Sequence, residues 1–204
     1  MTFEDRWERL WLGLDRPAPG GLLDALLAAW REPQRHYHTL QHLSECFAHL
    51  DEAPVPAGQA CEIELALWFH DAVYDVHARD NEARSADWAL DALGSAGLAF
   101  LLCERVAALV MATCHAAPAT SPEAHLVTDI DLAILGAPPA RFAEYERQIR
   151  AEYAHVPAPL FARKRREVLQ GFLERDRIYR TVYFAARYEP QARANLSRAI
   201  ALAH

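Results

Sequence analysis

Apolar residues recur along this chain with a period near that of an α-helix. Phe3, Trp7, Leu10, Trp11 and Leu14 fall at i, i+3, i+4 spacing, the stripe that one helix face presents to a core. Two prolines and two glycines between Asp15 and Gly21 break that run. Leu22 to Trp30 predicts a second helix, stopped near Pro33. A third begins around Thr39 and carries His42, Leu43, Cys46, Phe47 and Leu50 on one face. The segment Ala53 to Gly58 reads as a turn before a helix from Gln59 to Asp71. A loop from Asp75 to Asp80 leads to a helix from Asn81 to Leu93, and Gly94 and Gly97 bracket the break before Leu98 to His115. Thr120 or Ser121, followed by Pro122 and Glu123, supplies the start of a helix containing Asp129 and Asp131. Pro138-Pro139 opens the next, through about His155. A long helix runs from about Leu160 to Arg175, and two more, Ile178 to Ala186 and Pro190 to Ala203, close the chain. Alternating β-branched runs and hairpin turn pairs are absent. The pattern predicts an all-α, single-domain helical bundle over residues 1–204, without internal repeats.

Composition narrows the classes. With 204 residues, 52% of them hydrophobic and 24% charged, the chain is long enough for one ample core and is not a disordered sequence. A formal charge of −7 argues against a general nucleic-acid binder. No apolar stretch approaches bilayer length, and the opening residues Met1 to Arg6 are acidic rather than signal-like, so the expectation is a cytoplasmic protein with no membrane partner. Cys46, Cys61, Cys103 and Cys114 lack paired zinc-ligand spacing and read as small buried hydrophobes; only Cys114, beside His115, touches candidate chemistry. The basic run Arg163-Lys164-Arg165-Arg166, continued by Arg175, Arg177 and Arg180, alternates with Val168, Leu169, Phe172 and Leu173 and reads as a solvated helix face. Trp7 and Trp11 read as core, while a homo-oligomer stays open.

The candidate chemistry lies in three places. His70-Asp71 closes the strongly apolar run Ala66 to Phe69, where an uncompensated polar group is costly to desolvate. Upstream stand His36, His38 and His42; downstream, Asp129 and Asp131 sit among Leu, Val and Ile. Two imidazoles and two carboxylates form the mixed N/O set that a divalent ion with open coordination positions prefers. Each place also has a bland reading as a satisfied helix end; together in one helical domain they favour a metal. A helix points Asp129 and Asp131 about 200° apart, so one of the two is expected to ligate.

The motifs, taken in order, add a resemblance. Arg-x-Tyr-His-x-x-x-His runs from Arg35 to His42, and Trp-Phe-His-Asp-x-Val-Tyr-Asp from Trp68 to Asp75. Asn-Glu-x-x-Ser-Ala spans Asn81 to Ala86, a shortened Thr-x-His spans Thr113 to His115, and Asp-x-Asp-Leu-x-Ile-Leu-Gly spans Asp129 to Gly136. With Tyr145, Ile149-Arg150 and Glu152-Tyr153 they cover most of the chain, which resembles the HD superfamily of metal-dependent phosphohydrolases and, within it, a small bacterial branch. The resemblance implies an HD-type helical fold with one divalent ion (Mn, Mg, Co, Ni, Fe or Zn) held by His42, His70, Asp71 and Asp131. His42 is preferred to His38 because the family's ligand precedes an aliphatic helical stripe. Asp131 is preferred to Asp129 because a small or apolar residue precedes the family's liganding aspartate.

The implied chemistry is hydrolysis of a small phosphate ester, a nucleotide among the candidates, by metal-activated water. Asp75 could orient or deprotonate that water, or simply cap its loop. His115 could serve as an acid or bind phosphate, or sit as the dipole partner of a helix C-terminus. Arg35 offers planar donors to a phosphate, and His38 and Tyr74 stand beside it as further substrate contacts. Tyr74 occupies a place where related enzymes carry an acid. Asn81 and Glu82 read as a helix N-cap pair. A binuclear centre drawing on His115 and His125 fits the spacing poorly. The rivals are a metal- and nucleotide-binding module with little turnover and a purely structural helical protein.

Overall fold

Seven consecutive residues, Ile63 to Phe69, are buried at the end of one helix, α4 (Ala60–Phe69). A helix with no solvent face belongs at the centre of a bundle, and the rest of the fold is built around it. The computed structural model describes residues 1–55, 58–115 and 120–202. Among them α1 (Phe3–Gly13), α2 (Leu22–Trp30), α3 (Leu40–Glu52), α5 (Asn81–Ser95), α6 (Phe100–Ala112) and α7 (Pro122–Asp131) precede a 3-10 helix, Leu132–Gly136. The helices α8 (Pro139–Glu152), α9 (Ala158–Leu173) and α10 (Val182–Leu202) follow. The described residues form an all-α bundle with no strand, and none of their helices is long and apolar enough to cross a membrane.

Helices α1, α3, α5, α6 and α7 all pack on α4. Trp68 is the hub of an aromatic cluster, with Trp7, Phe47 and Phe3 rings at 5.1, 4.9 and 5.7 Å. Trp7 and Trp11 are both core residues, as their spacing predicts. The one charge on the buried stretch of α4, Glu64, faces Arg6 of α1 at 3.0 Å, and the same guanidinium binds both oxygens of Asp51 on α3 at 2.8 and 2.9 Å. Arg6 also lies 4.3 Å over the Phe47 ring.

Several boundaries differ from the expectation, each for a visible reason. Helix α4 stops at Phe69 and not at Asp71, because Arg35 reaches in to take the Asp71 and Ala72 carbonyls at 2.5 and 3.0 Å. The guanidinium thereby gives partners to carbonyls of the turn that follows α4. The helix expected to run to His115 ends at Ala112, and the one expected through His155 ends at Glu152. Instead of Leu160 to Arg175, α9 spans Ala158–Leu173. Asn81 and Glu82 do not form an N-cap pair: Asn81 clasps Asp75, accepting from its N–H at 3.1 Å and donating to its carbonyl at 2.9 Å. Ser121, of the two candidates, caps α7.

The last two expected helices are one. Residues 178–181 are not helical because carboxylates occupy their backbone N–H groups. Glu189 accepts from Ile178 and Tyr179, and Asp129 accepts from Arg180 and Thr181. Helix α10 then runs unbroken through Pro190. Pro190 and Ala186, the residue whose carbonyl it orphans, are both exposed, where solvent can take the place of the missing bond. Expected positions 56, 57 and 203 lie outside the described residues.

Gly136 ends the 3-10 helix where α10 crosses it. A Cβ there would stand 2.6 Å from the Tyr188 Cβ and 2.7 Å from its carbonyl oxygen, so only glycine allows the approach. Gly136→Ala is expected to lower the unfolding free energy by about 1–3 kcal/mol, the usual cost of overpacking. Chemical denaturation of the two proteins side by side measures it.

Candidate metal centre

Three segments distant in sequence converge where α4 ends. His42 enters from the first turn of α3, whose start Thr39 caps by accepting from the Gln41 N–H. His70 and Asp71 turn out of α4, and Asp131 is the last residue of α7. One ligand atom from each of the four lies within 4.8 Å of all the others. His42 Nε2 is 3.1 Å from His70 Nε2 and 3.2 Å from Asp131 Oδ1, and His70 Nε2 is 3.2 Å from Asp71 Oδ2. Two further separations, His70 to Asp131 and His42 to Asp71, are 3.7 and 3.8 Å. Ligand bonds near 2.1 Å place neighbouring donor atoms about 3.0–3.4 Å apart; three of the separations fall in that range and the other two lie a little beyond it, so the four could close on one ion.

The donor chemistry agrees. His70 Nδ1 donates to the Leu67 carbonyl at 2.8 Å, which leaves Nε2 with its lone pair turned into the cluster. Both imidazoles are buried, and Trp30 walls them in, its ring 5.3 Å from His70 and its indole N–H bonded to the Trp68 carbonyl at 3.0 Å. Burial alone would press the His70 imidazole down, yet Asp71 and Asp131 lift it to about 9. Burial would raise the Asp71 carboxyl, but His70 and His38 hold it well below the usual range. Asp131 is likewise held down against burial, by hydrogen bonds from His115 and His42. The centre thus holds ionised carboxylates around ring nitrogens that demand a positive charge. A divalent cation fits that demand.

Cys46 offers an alternative third ligand, with its Sγ 3.7 Å from His42 Nε2. Burial first, then the Asp131 and Asp71 charges, push its thiol well up, so at neutral pH it stays a neutral core side chain. Cys103 is also buried, Cys61 half-buried, and Cys114 exposed.

The two aspartates of the Asp-x-Asp run part company. Asp131 joins the cluster. Asp129, fully buried, accepts from the Arg180 and Thr181 N–H groups at 2.9 and 2.7 Å and from the Thr181 hydroxyl at 2.7 Å. It anchors the segment that leads into α10, where the Thr181 hydroxyl accepts from the Phe184 N–H at 3.4 Å, and does not enter the metal cluster.

The other sequence candidates divide by position. His115 Nε2 lies 3.0 Å from Asp131 Oδ2, on a backbone with φ of 54°, beside the Phe172 ring. His38 sits in the turn before α3, its ring stacked on Tyr74 at 4.1 Å and its edge toward His42. Arg35 is fully buried behind these residues, with its donors on Glu32 and on the carbonyls of His38, Asp71 and Ala72. Asp75 is exposed, and its Oδ1 accepts from the His77 N–H at 2.9 Å. Arg165 of the basic run binds Glu146 and covers Tyr145 at 4.9 Å.

One residue that sequence reasoning gave no role is Glu152, at the end of α8 and 5% exposed. Its Oε1 accepts from the backbone N–H groups of His36, Tyr37 and His38 at 2.8, 2.7 and 3.0 Å. Its Oε2 accepts from the His38 ring and the Tyr74 hydroxyl, both at 2.8 Å. Burial would raise its carboxyl, but the His38 bond, charge and backbone donors hold it down to about 2. A glutamate closing a helix directly before Tyr153 was the only signal available in the sequence.

Comparison of the chain with protein-family models, with curated proteins and with solved structures finds no match. The site rests on its own geometry.

The two aspartates generate opposite expectations. Asp129→Ala leaves three donors without an acceptor and should cost about 3 kcal/mol of stability, while the folded protein keeps its metal. Asp131→Ala should abolish stoichiometric metal, read by elemental analysis of protein purified without chelator.

Proposed function

We propose that this protein is a divalent-metal-dependent phosphohydrolase acting on a small phosphorylated molecule, a nucleotide among the candidates. The observation that carries the reading is the convergence of His42, His70, Asp71 and Asp131 on one point, with a ring nitrogen of His70 committed behind it. A bound ion would supply Lewis acidity toward water and toward a phosphoryl oxygen. Two neutral imidazoles and two carboxylates balance a dication, and four ligands leave coordination positions for oxygen.

The chain's own groups have separable tasks in this reading. His70 is oriented by Leu67, and His115 engages the outer oxygen of Asp131, which keeps Oδ1 for the centre. His38, held between Glu152 and Tyr74, is placed to meet substrate, with Tyr74 as the floor under its ring. Burial and then Glu152 push the Tyr74 phenol up, so it remains a hydrogen-bond donor. Arg35 acts by fixing the Asp71 and His38 backbones, and Asp75 by closing the loop that follows them. His115, with Nε2 held on Asp131 Oδ2 and Nδ1 buried, acts in this reading by orienting that carboxylate for the ion and not by proton transfer to substrate.

The test is turnover. A panel of nucleotides, sugar phosphates and diesters is assayed with Mn, Mg, Co, Ni, Fe and Zn. Metal-stimulated release of phosphate or a phosphate monoester, lost by more than about 100-fold in His70→Ala and Asp71→Ala, is the expected result. Stoichiometric metal with no turnover on any ester would instead mark a binding module.

Metal affinity should also depend on pH. In the ion-free protein the His70 ring carries its extra proton up to about pH 9, and a metal must displace it. Affinity therefore rises as pH rises, by roughly tenfold per unit for one proton released, and levels off near pH 9. The aspartates, already ionised, add no dependence near neutrality. Titration calorimetry from pH 6 to 8 reads both the slope and the released proton.

A further inference from the structure

Glu152 spends its carboxylate in an unusual way. One oxygen gathers three successive backbone N–H groups, from His36 to His38, and the other meets the His38 ring and the Tyr74 hydroxyl. The first set is a scaffold: it shapes the turn that launches α3 and so places His42. The second set is different in kind, because an ionised carboxylate only accepts. His38 must then carry a proton on Nδ1, and Nε2, on the far edge of the ring, is the atom free to face a ligand. Tyr74 stacks on the same ring at 4.1 Å, and Arg35 binds the His38 carbonyl together with that of Asp71. Ring plane, ring edge and backbone of His38 are each fixed by a separate contact, and the ring lies 6.0 Å from that of the ligand His42.

We infer that Glu152 is a positioning residue for the metal centre, setting the tautomer and orientation of His38 so that Nε2 is presented to the substrate. Its part in turnover rests on the phosphohydrolase reading; its control of the His38 tautomer does not.

Glu152→Gln separates the scaffold from the tautomer. Three N–H donors hold the amide oxygen in the Oε1 position, so the NH₂ group falls where Oε2 was and donates into His38 Nδ1. The proton must move to Nε2. Nitrogen-15 NMR of histidine-labelled protein with Mg²⁺ present, with the His38 signals assigned by their loss in His38→Gln, reads this directly. The expected result is a protonated Nδ1 in the wild type and a proton on Nε2 in the variant. A bare Nδ1 in the wild type, or an unchanged Nδ1–H in folded Glu152→Gln, overturns the inference. If the variant does not fold, the wild-type spectrum still decides.

Turnover of p-nitrophenyl phosphate with Mn²⁺ gives the second readout. Glu152→Gln should lower kcat by about 10–100-fold with KM and metal content retained, as loss of an orienting partner does. The double variant with His38→Asn should be no slower than His38→Asn alone, since the two residues act as a unit. An unchanged kcat in the folded variant, or fully additive losses, refutes the role. Should the wild type hydrolyse no ester, the phosphohydrolase reading fails, and the tautomer alone rules on Glu152.

Discussion

Two ring nitrogens that face one another between carboxylates inside a hydrophobic bundle need a proton or a cation between them. His42 Nε2 and His70 Nε2 stand 3.1 Å apart between ionised carboxylates, and Trp30 and the end of α4 keep them dry. Without a cation the cluster satisfies itself by drawing a proton onto His70, which is why that imidazole is lifted to about 9 although burial opposes it. The cost of burying such a group without a partner runs to several kcal/mol. A chain that merely needed a stable core would fill this space with leucine. The cluster has the donors to exchange that proton for a metal.

The carboxylates inside the bundle, some buried and some half-buried, show how the same side chain is given different work by what faces it. Asp129 and Glu189 face backbone N–H groups and hold the start of α10. Glu64 faces Arg6 and permits a charge on the central helix. Asp71 and Asp131 face imidazoles, whose donor capacity is conditional on their protonation, and among the described carboxylates these two stand in the cluster that could hold a cation. Glu152 faces both kinds at once, the backbone N–H groups of residues 36 to 38 and the His38 ring. Donor type, rather than burial, sorts structural from chemical acids here.

Much of this was legible in the sequence because periodicity reports burial. The all-α bundle, the apolar run ending in His70-Asp71 and the stripe behind His42 follow from local pattern. What the pattern missed depends on distant donors. Ile178 to Thr181 looks helical until carboxylates from α7 and α10 claim its N–H groups, and Pro190 looks like a break until its exposure is known. The choice between Asp129 and Asp131 turned on the same point, since nothing local to residue 129 announces that Thr181 will be its partner. Glu152 stood in the sequence only as part of the Glu152-Tyr153 pair, without a role, because its partners lie more than 75 residues away in the chain.

His115 shows where local and distant constraints meet. A non-glycine residue at φ of 54° is held against a backbone preference of about 1–2 kcal/mol. Helix α6 ends three residues earlier, and the Thr113 hydroxyl closes that end on the Val110 carbonyl at 2.7 Å. A right-handed continuation would carry residue 115 on along α6. The left-handed turn instead brings its ring to Asp131 Oδ2 and packs it beside Phe172 of α9. One oxygen of Asp131 is thereby occupied from outside and the other left to His42 and the centre. Backbone strain at one residue thus divides the two oxygens of a carboxylate contributed by another helix, which is the kind of local cost that a functional site retains and a purely structural loop sheds.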